Sequence, residues 1–249
     1  MNPVIEEIVR SGNTQLPDGR LVPAHSGIPP GSGRVIQHAI EVAKPALACE
    51  VGLAYGLSTL YILDAMRQNG DGVLIGMDPA QNDQTWQGGG LHNVRRAGFE
   101  GRYEFHEASS QQTLPRLVDG GTRIQFAFID GWHTFDHTLV DFFYIDSMLD
   151  VGGVIVLDDV GYPGLQRLAH FIVCNRDYAI LDLDPRPKPR GWRTSVKSMT
   201  KRVFGPLVRD NHSPTMATAA ARARVDGAAL IALRKCGEDR RRFDHFVPF

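Results

Sequence analysis

The sequence predicts an α/β protein: a doubly wound, mostly parallel seven-stranded sheet with helices on both faces. Two observations predict it. From residue 46 onward, short apolar runs alternate with stretches of helical periodicity, the pattern of consecutive βαβ units. The runs are also continuously apolar, as strands covered on both faces are, instead of alternating polar and apolar. Right-handed crossovers then wind the sheet and put ligands at the carboxyl ends of its strands.

Residues 11–33 are rich in Gly, Pro and Ser and read as an extended arm. A helix follows from Ser32, with Val35, Ile36, Ala39, Ile40 and Ala43 on one face, and stops before Pro45. Residues 1–45 are thus an N-terminal arm and helix, and 46–249 the main domain. Strands are expected at 46–52, 72–78, 102–108, 124–130 and 154–159, then at 178–183 and 228–235. Helices are expected at 56–70, 88–98, 135–149 and 163–176. A weaker one at 110–121 is broken or started by Pro115. A long insertion occupies 185–227.

The chain has 249 residues and a net charge of −1. That is enough for a large core and argues against a general polyanion binder. Cys49, Cys174 and Cys236 match no zinc or disulfide spacing, which points to a reducing, cytoplasmic setting. MNPVIEEIVR has acids where a signal peptide needs bases, and no run is long enough to span a bilayer.

Acids stand at the ends of the strands. The first strand closes in E-V-G-L-A-Y-G-L-S, Glu50 to Ser58. Gly52 and Gly56 are four apart, so this is not the dinucleotide fingerprint. A turn with Gly at both ends still allows a ligand to lie on bare backbone at a helix N-terminus, though such a turn also needs Gly for its φ angles alone. The second strand ends in Asp78-Pro79, where a carboxylate can accept from ribose hydroxyls or cap a loop.

The pair E-V-G-L-A-Y-G-L-S and G-M-D-P resembles the first two motifs of class I S-adenosylmethionine-dependent methyltransferases, which share a Rossmann-like fold. The resemblance implies that Glu50, Gly52, Gly56 and Ser58 form the cofactor turn, that Asp78 holds the ribose, and that Ala108, Ser109 and Ser110 lie near the adenine. It also makes the strand near 228–235 antiparallel. Trp86 and the arm residues His25 and Ser26 are candidate covers of the cofactor.

Asp130 ends the fourth strand and Asp158-Asp159 the fifth. Neighbouring parallel strands bring all three carboxylates to one rim, where they repel unless a hard divalent cation such as Mg²⁺ takes their oxygens. The alternative gives one to the cofactor, one to a helix cap and one to water. His133 follows Asp130 by three and is the candidate general base, with His137 as fallback. Taking an alcohol to ionise near water, at about 15.7, and His near ~6.5, the gap of roughly nine units costs about 12 kcal/mol. A coordinated cation lowers that gap; a phenol narrows it further. The pattern I-D-G-x-H followed by G-G-x-I-x-x-D-D resembles a metal-dependent branch that includes macrolide-sugar O-methyltransferases, and cephalosporin-biosynthesis proteins of the same fold. It implies metal ligation by Asp130, Asp158 and Asp159, catalysis by His133, and Asp130 also beside the cofactor. Its acidic pair is Glu-Asp, where this chain has Asp-Asp.

The insertion carries eight Lys or Arg between 186 and 209 and no acid. It reads as a solvated basic face, or as the contact for an anionic acceptor. The expectation is therefore methyl transfer to a hydroxyl of a small molecule, with a sugar of a natural product or glycan as the candidate acceptor, by a protein that could self-associate. The alternatives are an RNA methyltransferase, disfavoured because no RNA-binding module is present, and a cofactor-binding scaffold without turnover.

Overall fold

The computed structural model describes residues 1–70, 72–181 and 216–249. The basic stretch 186–209 lies outside the described residues. The chain begins with a helix, α1 (Pro3–Ser11), and a two-stranded antiparallel hairpin, β1 (Asn13–Gln15) and β2 (Leu21–Pro23). The hairpin falls within residues 11–33, which the sequence suggests are an extended arm. Helix α1 forms because Asn2 caps it, accepting from the Val4 N–H at 3.0 Å, and Pro3 occupies a first-turn position that needs no donor. It buries Val4, Ile5 and Ile8 in the core.

The next helix, α2 (Pro30–Ala43), packs on α3 (Leu57–Asn69), which follows strand β3 (Leu47–Val51). Gly33 makes that approach possible, since a Cβ there would lie 2.5 Å from the Tyr61 ring. The alternation then runs β4 (Val73–Met77), α4 (Gly89–Arg96), β5 (Tyr103–His106), α5 (Ser110–Asp119), β6 (Ile124–Ile129), α6 (Phe135–Met148), β7 (Leu149–Leu157) and α7 (Pro163–Asn175). It closes with β8 (Tyr178–Ile180), α8 (Met216–Asp226) and β9 (Ile231–Lys235). Pro115 neither starts nor breaks α5. The helix runs through it, because the carbonyl that Pro115 cannot satisfy is that of Gln111, whose residue is exposed.

Seven strands form one sheet in the order β5-β4-β3-β6-β7-β9-β8. All pairings are parallel except those of β9, which runs antiparallel to both β7 and β8. Successive strand residues feed opposite faces. Ala48, Leu74, Phe126, Val154 and Val156 pack with α2 and α3, while Cys49, Ile75, Ala127, Ile155 and Leu157 pack with α6 and α7. The strand order reverses between β3 and β6, so their carboxyl ends open into the crevice where ligands bind in such sheets. No helix among the described residues is long and apolar enough to cross a membrane.

Gly33→Ala tests the α2–α3 contact. Overpacking costs roughly 1–3 kcal/mol, and the better helix propensity of Ala offsets up to ~1 of it. The variant is expected to lose about 1–2 kcal/mol in urea denaturation, with the slope unchanged.

Candidate active site

The turn between β3 and α3 is held from several sides. Gly52 has φ +92° and Gly56 φ +78°. A Cβ on Gly52 would collide with the Asp130 carbonyl oxygen, so the glycine is required by the approach of β6 as well as by its own backbone. Between them Ala54 also takes a left-handed φ of +48°, a conformation a non-glycine residue keeps only when its surroundings impose it. Asp78 imposes it. One carboxylate oxygen accepts from the Leu53 N–H at 3.2 Å and the Ala54 N–H at 3.0 Å, and the other from the Ala80 N–H at 2.8 Å. Asp78 lines the cavity, but much of its acceptor capacity already braces the turn.

Two residues that sequence reasoning missed complete the brace. Gln81, fully buried, donates to the Ala54 carbonyl at 2.9 Å and accepts from the Gly90 N–H at 2.8 Å. Asn93 donates to the Tyr55 carbonyl at 3.0 Å and to the Thr14 hydroxyl at 2.6 Å, tying the turn to the N-terminal hairpin. The one signal in the sequence was the Gly88–Gly90 run, which lets α4 approach the turn this closely.

Glu50 lies beneath this turn, fully buried. It accepts from the Ser58 hydroxyl at 2.7 Å and the Thr59 hydroxyl at 2.6 Å. Burial pushes its carboxyl up to about 7, against the downward pull of those two hydroxyls. It locks the start of α3 to β3. Ser58 itself reaches the cavity wall.

That cavity has a volume of about 590 Å³, within the range of small-molecule sites. Gly52, Ser58, Asp78, Ser109, Ser110, Asp130 and His133 all line it, and so do Ser26 and Trp86. Behind Ser110 sits Asp141 of α6, buried, with one oxygen lacking a partner. Burial raises its carboxyl to about 6, and the Ser110 hydroxyl draws it back down.

At the rim, Asp130, His133 and Asp159 offer donor atoms that all lie within 4.8 Å of one another. His133 Nε2 is 2.9 Å from Asp159 Oδ2 and 3.5 Å from Asp130 Oδ1, with side chains 35%, 48% and 23% exposed respectively. Asp158 is not in this group. Its Oδ1 accepts from the Asp159 N–H at 2.9 Å. Asp159 adopts a left-handed φ of +53°, which an Asp tolerates. Burial holds the Asp130 carboxyl well above the usual carboxylate range, reinforced by Asp158 and Asp159. Burial raises Asp158 as well. His137 lines the cavity, with Nδ1 2.8 Å from the Thr134 hydroxyl.

Residues 49–160 match the family model described as a methyltransferase domain. Several solved structures share the fold. An O-methyltransferase from Bacillus cereus in complex with SAH is 18% identical with a TM-score of 0.55, covering 64% of this chain and 76% of that one. The O-methyltransferase TomG from Streptomyces achromogenes, involved in tomaymycin synthesis and solved with SAM, is 18% identical at TM-score 0.54, covering 62% and 73%. CalS11, a TDP-rhamnose 3'-O-methyltransferase of calicheamicin biosynthesis, is 18% identical at TM-score 0.53, covering 64% and 76%. No curated protein matches the chain.

The raised carboxyl of Glu50 has a thermodynamic signature. Between its ordinary value of 4.5 and its folded value of about 7, the unfolded chain gives up a proton that the folded chain keeps. Stability therefore falls as pH rises through that window. The loss approaches ~3 kcal/mol, from ~1.36 kcal/mol per unit. In Glu50→Gln this contribution vanishes, so the difference in unfolding free energy between about pH 4.5 and about pH 7.5 should shrink by up to that amount. Denaturant titration of both proteins at both pH values checks it.

Proposed function

Since residues 49–160 form a methyltransferase domain of the class I fold, we propose that the protein transfers a methyl group from S-adenosylmethionine to a hydroxyl of a small hydroxylated molecule. The convergence of Asp130, His133 and Asp159 at the cavity rim carries the reading. When bound, S-adenosylmethionine supplies an electrophilic methyl group. Gly52, Leu53 and Ala54 of the turn and Ser58 of α3 offer it one wall of the cavity, while Asp78 keeps one acceptor position for its ribose. Ser109 and Ser110, at the first turn of α5, line the adenine end.

The rim groups handle the acceptor hydroxyl. Their donor set of two carboxylate oxygens and one imidazole nitrogen fits a divalent cation; burial does most to raise the Asp130 carboxyl, and the repulsion from Asp158 and Asp159 that adds to it is what such a charge would relieve. Asp130, His133 and Asp159 would hold it, and it would lower the pKa of a coordinated hydroxyl. A mixed set of this kind suits Mn²⁺ or a later first-row ion better than Mg²⁺, which prefers oxygen alone.

The 2.9 Å approach of His133 Nε2 to Asp159 Oδ2, an ion-pair distance that is not aligned as a hydrogen bond, favours a second reading. Without a cation, these two form a base and its orienting carboxylate. The acceptor proton then passes to the imidazole, and Asp159 stabilises the resulting charge. His133 cannot ligate through Nε2 and pair there at the same time, so a chelator separates the readings. A sugar acceptor is supported by the fold shared with CalS11, which acts on TDP-rhamnose.

Isothermal titration with Mn²⁺ tests the cation site. Asp130→Asn, Asp159→Asn and His133→Ala should each weaken binding at least about tenfold, while Asp158→Asn stays within about threefold. Because burial holds a proton on Asp130 above the usual carboxylate range, the affinity of the unmodified protein should fall as pH is lowered and protons compete with the cation. Unchanged affinity in Asp159→Asn would remove the cation. Methylation of a hydroxylated acceptor that survives EDTA and still drops about 10²-fold in His133→Ala would establish the dyad instead.

A further inference from the structure

Residues 24–29 join β2 to α2 and run along the edge of the cavity. Both ends of this segment are fixed. The Ala24 N–H donates to the Gly12 carbonyl at 2.9 Å, and Ile28 is buried in the core. Between them His25, Ser26 and Gly27 are exposed, and Ser26 sits at a left-handed φ of +59°. Ser26 and Ile28 line the cavity from this side. Trp86 lines it from the loop that also carries Gln81.

The His25 ring bridges the two walls. Its centroid lies 5.2 Å from the Tyr55 ring, edge-on, and 5.6 Å from the Trp86 ring. Tyr55 and Trp86 meet edge to face at 5.1 Å. His25 Nε2 stands 3.5 Å from the Tyr55 hydroxyl, the outer limit of a hydrogen bond. Tyr55 belongs to the Gly52–Gly56 turn, so a single exposed residue of the arm touches both the turn and the facing loop. The surrounding anchors are separate from this contact. Asn93 holds Thr14 at 2.6 Å, and Arg20 Nη2 donates to Gln87 Oε1 at 2.6 Å.

We propose that residues 24–29 are a strap across the cofactor cavity, latched by His25 on Tyr55 and Trp86, which lifts to let S-adenosylmethionine in and its product out. This rests on the cofactor assigned above. Three features make the segment suited to it. Its ends stay anchored when the middle opens. Among the described residues the exposed backbone of His25, Ser26 and Gly27 makes no hydrogen bond that opening would break, so the local unfolding it needs is cheap. The latch is one weak aromatic cluster, strong enough to slow escape and weak enough to release. His25, Tyr55 and Trp86 then govern residence of the cofactor, and the chemistry at Asp130 and His133 is separate from them.

Stopped-flow tryptophan fluorescence with S-adenosylhomocysteine on the full chain tests the strap. His25→Ala should raise the dissociation rate about five- to tenfold while the association rate changes little. His25→Phe, which restores a ring, should return dissociation to within about threefold of the unmodified protein, a rescue that lost folding would not give. Bound S-adenosylhomocysteine should also slow proteolysis within residues 24–29, and do so less in His25→Ala. If the unmodified protein binds and His25→Ala dissociates at the same rate, the strap is refuted while the cofactor reading stands. If the unmodified protein does not bind at all, the cofactor reading fails and takes the strap with it.

Discussion

Val51 and Asp130 set the geometry of everything above the sheet. The Asp130 N–H donates to the Val51 carbonyl at 3.0 Å, and one residue on, the Gly52 N–H donates to the Met77 carbonyl at 3.0 Å. The end of β3 is therefore bonded on one side to β6 and on the other to β4, at the point where the strand order reverses. No side chain fits at residue 52. That close approach brings the tips of three strands, with their terminal acids, to a single rim, and it forces the following turn into left-handed backbone that other residues must hold.

Those acids differ in how they are satisfied, and the difference separates scaffold from chemistry. A buried carboxylate is costly unless donors meet it. Glu50 has two hydroxyls, Asp78 has three backbone N–H groups, and Asp158 has the amide of its neighbour. Among the described residues, the partner of the Asp130 side chain is His133 at 3.5 Å, and Asp159 approaches that same ring nitrogen at 2.9 Å. Burial and two neighbouring charges raise the Asp130 carboxyl. Glu50, beneath the turn and met by two hydroxyls of α3, is a structural support, whereas Asp78 both braces the turn and lines the cavity. The two left to compete for one imidazole are those with binding capacity to offer a ligand.

The parallel sheet was legible because continuous apolar runs have one common explanation, burial on both faces, and because helical spacing separated them so regularly. Of the three acids expected at the rim, Asp130 and Asp159 come together there because each follows the carboxyl end of its own strand, and those two strands are neighbours. What spacing could not reveal was local backbone. Asp158 and Asp159 are adjacent letters, yet the left-handed φ of +53° at Asp159 leaves one side chain on its neighbour's amide and brings the other to His133. Gln81 and Asn93 sat in a polar loop and a polar helix, where nothing marked them as buried. Helix α1 was hidden by its shortness; its cap and its three buried aliphatics have meaning only against a core formed far along the chain.

The brace of the turn reaches further than the cavity. Asp78 and Gln81 hold Ala54 from one side of the sheet, and Asn93 holds Tyr55 while gripping Thr14 of the hairpin. The hairpin in turn carries the segment whose His25 ring rests on Tyr55. Turn, loop and arm thus share a chain of contacts that closes on itself, and a ligand that orders any one of them acts on all three. Linkage makes such coupling reciprocal: whatever the arm contributes to holding a cofactor, the cofactor contributes equally to holding the arm. An arm that rests on the turn and the facing loop can therefore set how long a bound cofactor stays, independently of the groups at the rim.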